Sequence, residues 1–556
     1  MCGIWALLSQ ISISTYGKYY DSFMKIKHRG PEYSSFDLIN PYVLLGFHRL
    51  AIMDLSADGH QPFHHVREDG SCIYCICNGE IYDHMNLRKE YNIITKSHSD
   101  CEVIIPLYEK LGVDKMIRLL GSEFCFVIFD ISKDGHVKMF AGRDPIGVRP
   151  GFYGINDNSL CFSSEMKGLS DIYDKVFVFP PGHYMIYENN QINLTQYYTY
   201  QYKEINPIPS MDQIYKEIRQ RFINCVRKRL MADRPFGALL SGGLDSSLVC
   251  GVMIDIIETE DEFKNLRDKE IELFTIGFKS GSTDMPYAIE VVNFLRKKHP
   301  KIKHHIIEID ENEALNAIDE TIHVTGSWDL TTIRASTMQY LVARYIKEKT
   351  SVRILNVGEL SDELFSSYLY NHYAPSAQAC REDSIRLVRD VHKFDGLRTD
   401  RTMASQGLEV RLPFADIELI DYIFSLPPEY TMPQNGLEKT LLRDSFKYMN
   451  IIPENIRLRV KNAFSDAVSK KERSWYQIIQ DDLEIKISDI EFIQTPKDKF
   501  KHCSPFTKES YYYRKKFVEY YGESEEKANT IPYFWMPKWT NETTDPSART
   551  LKVYKE

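Results

Sequence analysis

The sequence predicts two domains of different fold class, a sheet-rich α+β domain followed by an α/β domain with a parallel sheet and a helical C-terminal part. The chain has 556 residues, which is more than one ordinary hydrophobic core supports. Short strand-like runs separated by turn residues fill the first part, up to about residue 200. Beyond it, strand-like runs alternate with helical stretches, which is typical of βαβ units.

Composition and charge indicate an ordinary globular protein and exclude several classes. Hydrophobic residues make up 43% of the chain, charged residues 26%, and the net charge is −9, so no nucleic-acid partner is expected. No apolar run is long enough to cross a bilayer, and no positively charged region precedes the apolar start, so no membrane partner is expected. The 11 cysteines are scattered and odd in number, which favours reduced thiols and a cytoplasmic location.

The strands of the first domain are predicted where short apolar runs lie between turn residues such as Asp134-Gly135 and Pro181-Gly182. One helical pattern lies among them, at residues 101–110. The predicted strands are residues 43–47, 72–77, 124–129, 137–141, 160–163 and 183–187.

A linker is predicted between the domains, because several tyrosines, Pro207 and Pro209 interrupt the periodic patterns there. Residues 466–500 carry many charges and no recognisable pattern. In the second domain, strands are predicted at 236–240 and 273–278, and helices at 248–257, 288–297, 335–347 and 417–424. The predicted division is a domain at 2–200, a linker at 201–212, a domain at 213–540 and a polar tail at 541–556 that is expected to be mobile.

Cys2 is the first candidate for chemistry because it directly follows the initiator methionine. If Met1 is removed, Cys2 carries both a thiol and a free α-amine, whose intrinsic pKa is about 7.7–8.0. The amine can then act as the base that activates the thiol of the same residue. The alternative is a small buried residue at this position, since a lone cysteine is a weak signal.

Three further polar features suit an amino-acid substrate. The planar fork of Arg49 can hold a carboxylate, and Asp100 can hold an ammonium group. Asn78 and Gly79 follow a strand and can offer a side-chain amide and a backbone N–H to an oxyanion. Each feature has a structural alternative, namely a surface ion pair for the arginine, a hairpin turn for the Asn-Gly pair and a helix cap for the aspartate.

Together these residues resemble the glutaminase domain of the class II amidotransferases, which are N-terminal-nucleophile hydrolases with an αββα sandwich fold. The resemblance covers about residues 2–200. One difference is Glu32, where the family has aspartate, and the charge is kept. The matching stretches are Cys2-Gly3-Ile4, His28-Arg29-Gly30-Pro31, Arg49-Leu50-Ala51-Ile52, Asn78-Gly79-Glu80-Ile81-Tyr82, Arg143-Asp144-Pro145-Ile146-Gly147 and Ser163-Ser164-Glu165-Met166-Lys167.

The resemblance implies a role for each matching residue in the hydrolysis of glutamine. Cys2 attacks the side-chain amide, while Asn78 and Gly79 stabilise the tetrahedral oxyanion. Arg49 holds the α-carboxylate of glutamine, and two acidic side chains hold its α-amine. The implied glutamine-binding residues are Arg49, Leu50, Ala51, Ile52, Met53, Asn78, Gly79, Glu80 and Asp100.

A cluster of Cys72, Cys75 and Cys77 suggests a metal site only at first sight. On a strand, Cys75 and Cys77 share one face, whereas Cys72 points to the other. No histidine or second cysteine pair follows at zinc spacing. The sequence therefore favours ordinary strand cysteines at these positions.

The second candidate site is a glycine-containing loop, Ser241-Gly242-Gly243-Leu244-Asp245-Ser246-Ser247, between a predicted strand and a predicted helix. The glycines allow close approach of the backbone, and free N–H groups together with the helix dipole attract phosphate. Asp245 would repel phosphate directly, so we expect a bridging Mg²⁺. The alternative is an ordinary glycine turn with a helix cap. The loop is not a Walker loop, because no Gly-Lys-Ser/Thr ends it.

This loop resembles that of the ATP pyrophosphatases, which cleave ATP to AMP and pyrophosphate and adenylate a substrate. A class II glutaminase followed by such a loop resembles the glutamine-hydrolysing asparagine synthetases, particularly the eukaryotic type, over nearly the full length. The implied substrates are glutamine, aspartate and ATP, and ammonia is expected to cross a sheltered passage between the domains. Further matching stretches are residues 330–337, 358–363, 407–414, 438–439, 442–443, 461, 464–466, 534–539 and 544–551.

The resemblance also implies roles in the second domain, where solvated charges and loop caps are the ordinary alternatives. Asp245 and Asp362 hold Mg²⁺ with pyrophosphate, and Glu359 takes a proton from the attacking ammonia. The implied aspartate-binding residues are Thr331, Thr332 and Arg334. The implied ATP-binding residues are Leu239, Ser241, Gly242, Gly243, Asp245, Ser246, Ser247, Ile276, Val357, Gly358 and Lys461.

Two differences from the family lie in one loop, where the family has Ser-Gly-Glu-Gly-Ser-Asp-Glu. Val357 replaces the serine, which removes a hydroxyl contact to ATP, and Leu360 replaces the second glycine. Since leucine disfavours a positive φ, a loop of different shape is expected. These differences motivate one alternative function, a glutamine or nucleotide sensor with a decayed synthetase site. The other alternative is a related amide- or lactam-forming enzyme with another acceptor. The sequence leaves the oligomeric state open, with a homodimer as one option.

Overall fold

The computed structural model describes residues 1–461, 463–494, 497–540 and 545–551, with the backbone alone at residues 497 and 498. Within this part of the chain, a sheet-rich domain is followed by a domain with a parallel sheet, as the sequence predicts. The tail predicted at residues 541–556 lies outside the described residues except for 545–551. None of the described helices combines the length and the apolar character that crossing a bilayer requires.

The first domain is built from strands and three helices, and all six predicted strands are confirmed. The helices are α1 (Gly17–Met24), α2 (His84–Glu90) and α3 (Ile104–Leu119). The strands are β1 (Gly3–Ser9), β2 (Tyr33–Asn40), β3 (Val43–Arg49), β4 (Phe63–Val66), β5 (Cys72–Glu80), β6 (Glu123–Ile131), β7 (Val137–Arg143), β8 (Phe152–Asn156), β9 (Ser159–Ser163), β10 (Val176–Val178), β11 (His183–Glu188) and β12 (Gln191–Gln196).

These strands form two six-stranded antiparallel sheets, with the orders β10-β8-β9-β1-β3-β2 and β12-β11-β7-β6-β5-β4. Alternation along β1 shows how the layers pack. Trp5 and Leu7 share a core with Phe23 of α1, whereas Ile4 and Ala6 face the core between the two sheets. Helix α3 covers the outer face of the second sheet. The layers are therefore αββα, the sandwich of the N-terminal-nucleophile hydrolases.

The linker is an extended segment whose tyrosines are bound to both domains. The hydroxyl of Tyr197 donates to the carbonyl oxygen of Arg143 at 2.8 Å, within the first domain. The hydroxyl of Tyr198 donates to Asp421 of the second domain, also at 2.8 Å. Helix α4 (Met211–Lys228) then begins, with Ser210 forming a capping box. These two tyrosines thus tie the chain just before the linker to both domains.

The second domain has a five-stranded parallel sheet with helices packed around it. Its strands are β13 (Phe236–Leu239), β14 (Ile271–Phe278), β15 (Ile302–Ile309), β16 (Ile354–Asn356) and β17 (Glu409–Arg411). The sheet order is β15-β14-β13-β16-β17, and every neighbouring pair is parallel. The strand order reverses direction at β13, which is where open α/β sheets bind ligands.

Helices make up most of the remaining described chain, and the four predicted helices of this domain are confirmed. They surround the sheet and form the C-terminal part. The helices after α4 are α5 (Leu244–Thr259), α6 (Met285–Leu295), α7 (Glu311–Asn316), α8 (Ile318–Thr325), α9 (Leu330–Lys349), α10 (Ser361–Leu364), α11 (Ala377–Asp390), α12 (Asp395–Ala404), α13 (Ile417–Ser425), α14 (Thr440–Ser445), α15 (Glu454–Arg457), α16 (Phe464–Ala467), α17 (Trp475–Lys486), α18 (Asp489–Gln494), α19 (Lys508–Tyr521) and α20 (Glu525–Ala528).

The described part of the C-terminal tail is packed, contrary to the expected mobility. Arg549 is 8% exposed and donates to the carbonyl oxygens of Asp466 and Lys470. The hydroxyl of Ser547 donates to the carboxylate of Asp466 at 2.9 Å. The prediction of mobility was wrong for this segment, because its polar side chains bind groups that lie far away in the sequence.

Buried charges join the two domains. Arg29 is fully buried and pairs with Glu165 of its own domain at 2.7 Å and with Asp400 of α12 at 2.9 Å. Glu123 of β6 pairs with Arg229, which lies just after α4, at 2.9 Å. Such pairs are stable only while both partners are present, since an unpaired buried charge is costly.

Candidate active sites

The nucleophile predicted at position 2 lies at the start of β1, close to the second domain. The Cys2 thiol lies 3.6 Å from the carbonyl oxygen of Leu50, and the amine of Met1 lies 3.5 Å from that of Leu408. Burial raises the pKa of the Cys2 thiol to about 11 and lowers the pKa of the Met1 amine to about 6. With Met1 in place the thiol is therefore protonated at neutral pH. Activation by an amine on Cys2 itself stays a prediction.

The predicted oxyanion donors lie at the end of β5. Asn78 is 1% exposed, and within the described chain neither atom of its side-chain amide has a hydrogen-bond partner. A buried amide of this kind is costly unless a ligand satisfies it. Gly79 packs so closely against β6 that a Cβ would lie 2.4 Å from the carbonyl oxygen of Glu123. A side chain at position 79 would therefore push this strand out of place.

Arg49 ends β3 and presents a guanidinium that is bound only by neutral groups. It donates to the carbonyl oxygens of Ser56 at 2.7 Å and Met53 at 3.3 Å, and also to that of Asp54. Among the described residues, no carboxylate forms an ion pair with it. A Cβ at Gly59 would lie 2.3 Å from the guanidinium, so this glycine makes room for it. The arrangement is suited to a substrate carboxylate, and the surface ion pair is excluded for the described chain.

The segment Leu50–Met53, predicted to bind glutamine, is fixed from both domains. The N–H of Ala51 donates to Glu32 at 2.7 Å, and Arg234 of the second domain donates to the Ala51 carbonyl oxygen at 3.0 Å. Arg234 also pairs with Glu32 at 2.7 Å. The charge kept at position 32 thus holds the loop that carries the predicted glutamine site.

The two acidic residues predicted to bind the α-amine of glutamine are buried near this site. Asp100 accepts a hydrogen bond from the Ile81 N–H at 2.6 Å, and burial raises its pKa. Burial and the nearby charges of Glu409 and Asp100 raise the pKa of Glu80 well above its ordinary value. A carboxylate oxygen of Glu80 lies 3.1 Å from Arg411 of β17. Glu80 therefore faces the second domain, a contact that the sequence did not predict.

The three cysteines of β5 lie on the faces of the strand that the sequence predicted. Cys75 and Cys77 belong to the core beneath α3, whereas Cys72 packs against the core between the sheets. In the described chain, no three or more His, Cys, Asp and Glu side chains are grouped so that they hold a metal ion.

A cavity of about 1110 Å³, including its open part, lies beside the carboxyl ends of β13 and β16 in the second domain. It is lined by many of the residues predicted to bind ATP, and Gly242, Ser247 and Val357 are the predicted ones that do not line it. The predicted site residues that line it are Leu239, Ser241, Gly243, Asp245, Ser246, Ile276, Gly358, Glu359, Asp362 and Lys461.

The predicted phosphate loop joins β13 to the N-terminus of α5, as expected. Gly242 has a φ of +82°, and a Cβ there would lie 2.4 Å from the Ala288 nitrogen, so only glycine fits. The hydroxyls of Ser241 and Ser246 lie 3.0 Å apart, and the Gly243 N–H donates to Ser241 at 3.2 Å. The Gly243 N–H and the two serine hydroxyls, which a phosphate would use as donors, are thus hydrogen-bonded within the loop.

The two carboxylates predicted to hold Mg²⁺ converge on one lysine that the sequence analysis did not single out. The ammonium of Lys439 lies 2.6 Å from Asp245 and 2.6 Å from Asp362, and Lys461 also pairs with Asp362. Although burial alone would raise it, these two ammonium groups hold the pKa of Asp362 far below its ordinary value. Two carboxylates meeting at one cation fit Mg²⁺, which binds proteins through one or two carboxylates plus substrate phosphates.

The loop with two unusual residues keeps the backbone shape that a glycine would give. Leu360 has a φ of +75° and is 1% exposed, so leucine adopts here the positive φ that the sequence analysis considered unfavourable for it. Burial of its side chain and the following helix α10 hold this strained conformation. The hydroxyl of Ser361 donates to Asp245 at 2.8 Å. Val357 is fully buried and does not line the cavity, and the weakened ATP contact stays a prediction.

The three residues predicted to bind aspartate do not line the cavity. Thr332 donates to Asp329 at the start of α9, as part of the helix cap. Arg334 is 2% exposed and pairs with Glu509 at 2.6 Å and with Asp545 at 2.8 Å. Its fork is filled by two carboxylates from the C-terminal part, so a substrate carboxylate would have to displace one of them.

Glu359, predicted to accept a proton, lies in the cavity wall. It accepts hydrogen bonds from Gln339 at 2.7 Å and from Thr399 at 3.3 Å. Burial raises its pKa, against the opposing charge of Arg398. A carboxyl group with a raised pKa is a better base than an ordinary glutamate.

Comparison with family models divides the chain in the same way as the fold does. The family described as glutamine amidotransferase domain matches residues 1–172. The family described as asparagine synthase matches residues 217–391 and 372–543. Both sites described above fall within the matched residues.

Curated relatives match the chain from end to end. Glutamine-hydrolysing asparagine synthetase of Cricetulus griseus is 38% identical over 588 residues, covering 100% of this chain and 99% of the relative. The enzymes of Homo sapiens and Gallus gallus are each 37% identical, with the same coverage. Among solved structures, glutamine phosphoribosylpyrophosphate amidotransferase of B. subtilis is similar with a TM-score of 0.32 and 14% identity, over 55% of this chain and 81% of that one. On the full-length matches, the chain belongs to the glutamine-hydrolysing asparagine synthetases.

Proposed function

We propose that this chain makes asparagine from aspartate, with glutamine as nitrogen donor and ATP as energy source. The first domain hydrolyses glutamine to glutamate and ammonia. The second converts aspartate and ATP to β-aspartyl-AMP and pyrophosphate, and ammonia then displaces AMP. The observation that carries the proposal is the presence in one chain of a cysteine beside an unsatisfied amide and of a cavity with two convergent carboxylates.

In the first domain, Cys2 attacks the side-chain carbonyl of glutamine after Met1 has been removed. The unsatisfied amide of Asn78 and the N–H of Gly79 receive the developing oxyanion, which supports preorganised stabilisation. Arg49 binds the α-carboxylate, because its fork has no acidic partner among the described residues. Glu80 and Asp100 bind the α-amine, which offsets the cost of their burial.

In the second domain, ATP occupies the cavity with its phosphates at the serine loop. Asp245 and Asp362 would hold Mg²⁺, which would supply positive charge to the phosphates. Lys439 and Lys461 then exchange their carboxylate partners for phosphate oxygens. Glu359 accepts a proton from the attacking ammonia, a role that its raised pKa supports.

Ammonia released in the first domain reaches the second through the interface between them. The buried pairs at this interface exclude solvent, which limits protonation of ammonia on the way. We also propose a cytoplasmic location, supported by 11 cysteines that are all free thiols. A homodimer stays a prediction, and sedimentation of the purified chain tests it.

The proposal is tested by supplying purified protein with labelled aspartate, glutamine, ATP and Mg²⁺. Asparagine, glutamate, AMP and pyrophosphate are expected in equal amounts, and ammonium should replace glutamine as donor. Amidation of another acceptor would refute the acceptor assignment and favour a related amide-forming enzyme. Nucleotide binding without any pyrophosphate would favour a sensor.

A further inference from the structure

The cavity of the second domain is lined by five basic side chains, four of which are committed to other groups. Two are the lysines bound to the paired carboxylates. Arg443 donates to the carbonyl oxygen of Glu438, and Arg459 donates to the carbonyl oxygen of Gly242 in the serine loop. The five are Arg398, Lys439, Arg443, Arg459 and Lys461.

The fifth basic side chain, Arg398, has an unused donor. It lies on α12 and is 12% exposed, with one end of its fork paired to Asp395 one turn earlier. Its Nε has no hydrogen-bond partner within the described chain, although this atom is buried. A buried guanidinium N–H without an acceptor is costly, so the site favours a ligand that brings one.

An unused acceptor lies in the same cavity wall. Gln339 of α9 is 1% exposed and donates through its Nε2 to Glu359 at 2.7 Å. Because the Nε2 end of the amide donates to Glu359, the other end is Oε1, which is a hydrogen-bond acceptor. Within the described residues this oxygen has no partner either. The cavity wall thus offers a free donor on a cation and a free acceptor on a neutral amide, in addition to the free carboxylate oxygen of Glu438.

We propose that Arg398 binds the α-carboxylate of aspartate and that Gln339 accepts a hydrogen bond from its α-ammonium group. The inference rests on the proposed function and names the residues that make the synthetase specific for aspartate. An α-amino acid carries one group of each kind, which are the two groups that the free donor and the free acceptor require. The side-chain carboxylate of aspartate is then left to face the nucleotide.

The position of Arg398 separates it from the phosphate end of the cavity. Arg398 pairs with Asp395 and its charge acts on Glu359 and Glu363, the second of which it shares with Lys461. The lysines, and not Arg398, contact Asp245 and Asp362. Phosphates therefore meet the lysines, and a second anionic group is needed to meet Arg398. Arg334, which the sequence motif offered for this purpose, has both sides of its fork filled by carboxylates.

The test compares aspartate with two analogues that each lack one group, by measuring substrate-dependent pyrophosphate release with ATP. β-Alanine lacks the α-carboxylate, and succinate lacks the α-amine. For the unmodified chain we expect kcat/KM to fall by about 10⁴-fold with either analogue, because buried polar partners are left unpaired. In Arg398→Leu, kcat/KM for aspartate should fall by about 100-fold through KM while that for β-alanine stays within about threefold. Gln339→Leu should in the same way weaken discrimination against succinate.

Arg398→Lys is a second variant that should fold even if Arg398→Leu does not, because it keeps a positive charge beside Asp395 and removes only the planar fork. We expect it to raise the KM for aspartate by about 10-fold and to leave the KM for ATP unchanged. Arg344→Leu is the matched control, since Arg344 lies on α9 and pairs with Glu313 at the surface, and its kinetics should not change. Glutaminase activity reports whether each variant is folded.

The outcomes separate this inference from the function on which it rests. If the unmodified chain releases no pyrophosphate with aspartate, the proposed function fails. If it does, but Arg398→Leu discriminates between aspartate and β-alanine as well as the unmodified chain, the inference alone is overturned. A rise in the KM for ATP without a change for aspartate would also overturn it and assign Arg398 to phosphate. If Thr331→Val, and not Arg398→Leu, lost discrimination between aspartate and β-alanine, aspartate binding would be assigned to the residues that the family resemblance implied.

Discussion

The glutamine site and the ATP cavity handle their polar groups in opposite ways. In the first, the Asn78 amide has no partner in the described chain, and Arg49 is bound by carbonyl oxygens only. In the second, Asp245 and Asp362 are neutralised by lysines. The glutamine site is therefore ready for its ligand, whereas the ATP cavity must exchange ion pairs when nucleotide and metal arrive.

This difference follows from the charge of the ligands. Glutamine carries no net charge, so the groups that bind it include an unsatisfied amide and a cation bound by carbonyl oxygens, and burying these groups costs less free energy than burying unpaired charges. A nucleotide with Mg²⁺ brings several charges, and the groups that bind them would destabilise the empty protein if they were left unpaired. We expect mutations in the first site to affect rate without stability, and mutations in the second to affect both.

Cys2→Ala should give the largest effect of all. We expect glutamine-dependent synthesis to fall by at least about 10⁴-fold, because no other group can form the covalent intermediate. Ammonia-dependent synthesis should stay within about twofold, since the two sites are separate. Assays with each nitrogen donor measure this. Cys72→Ala, at the other end of β5 from Asn78, should keep both activities, and loss of both in Cys2→Ala would contradict separate sites.

Asn78→Ala should lower the kcat of glutamine hydrolysis by about 10²–10³-fold, as expected for an oxyanion donor. The free energy of unfolding should change by less than about 1 kcal/mol, because the amide has no hydrogen bond to lose. Gln61→Ala is the matched control: this buried amide bonds both the N–H and the carbonyl oxygen of Cys77. We expect it to cost about 2–3 kcal/mol. Equal destabilisation by both variants would remove the contrast between the sites.

Lys439→Met should destabilise the protein by about 3 kcal/mol in EDTA, because two carboxylates lose their shared cation. Mg²⁺ should recover most of this loss, since it occupies the same position, and should stabilise the variant more than the unmodified chain. Urea unfolding with and without Mg²⁺ measures both effects. Lys138→Met, which removes a surface pair with Glu188, should cost less than about 1 kcal/mol in either buffer. Equal losses of Lys439→Met in the two buffers would show that no metal binds there.

The smallest expected effect is a difference in stability between two substitutions at Leu360, and its sign is unusual. At most buried positions a glycine variant is less stable than the alanine variant, but Leu360 has a positive φ that only glycine adopts freely. Leu360→Gly should therefore be more stable than Leu360→Ala by about 1 kcal/mol, although both lose a buried side chain. Thermal unfolding measures the order. At Leu355 of β16 the order should be reversed, and the same order at both positions would mean that the loop has relaxed.

The longer strands and helices could be predicted from sequence because hydrophobic periodicity persists over several residues. Strand β5 and helix α9 show this, since their patterns cover nine and 20 residues in the structure. Strands β16 and β17 have three residues each, which is too short for a pattern to appear. They form only because the neighbouring strands of the parallel sheet offer them hydrogen bonds.

The candidate sites show the same limit. The serine loop is a continuous stretch, so its position before α5 could be predicted. Lys439 and Arg398 come from separate segments and meet the cavity only in the fold, so no spacing rule identified them. The partners of Arg334, Glu509 and Asp545, lie more than 170 residues away, so its ion pairs could not be predicted from the local sequence. The positive φ of Leu360 could not be predicted either, because burial can hold a conformation that local preference opposes.

The buried pair between Arg29 and Asp400 bears on how this enzyme can be dissected. A gene fragment that encodes the first domain alone would leave the Arg29 guanidinium with Glu165 as its remaining partner and without Asp400. The reverse fragment would leave Asp400 with Arg401 as its remaining partner. Each fragment would therefore lose one ion pair of a buried cluster, and recombining halves from different homologues should succeed best when both members of such pairs are exchanged together.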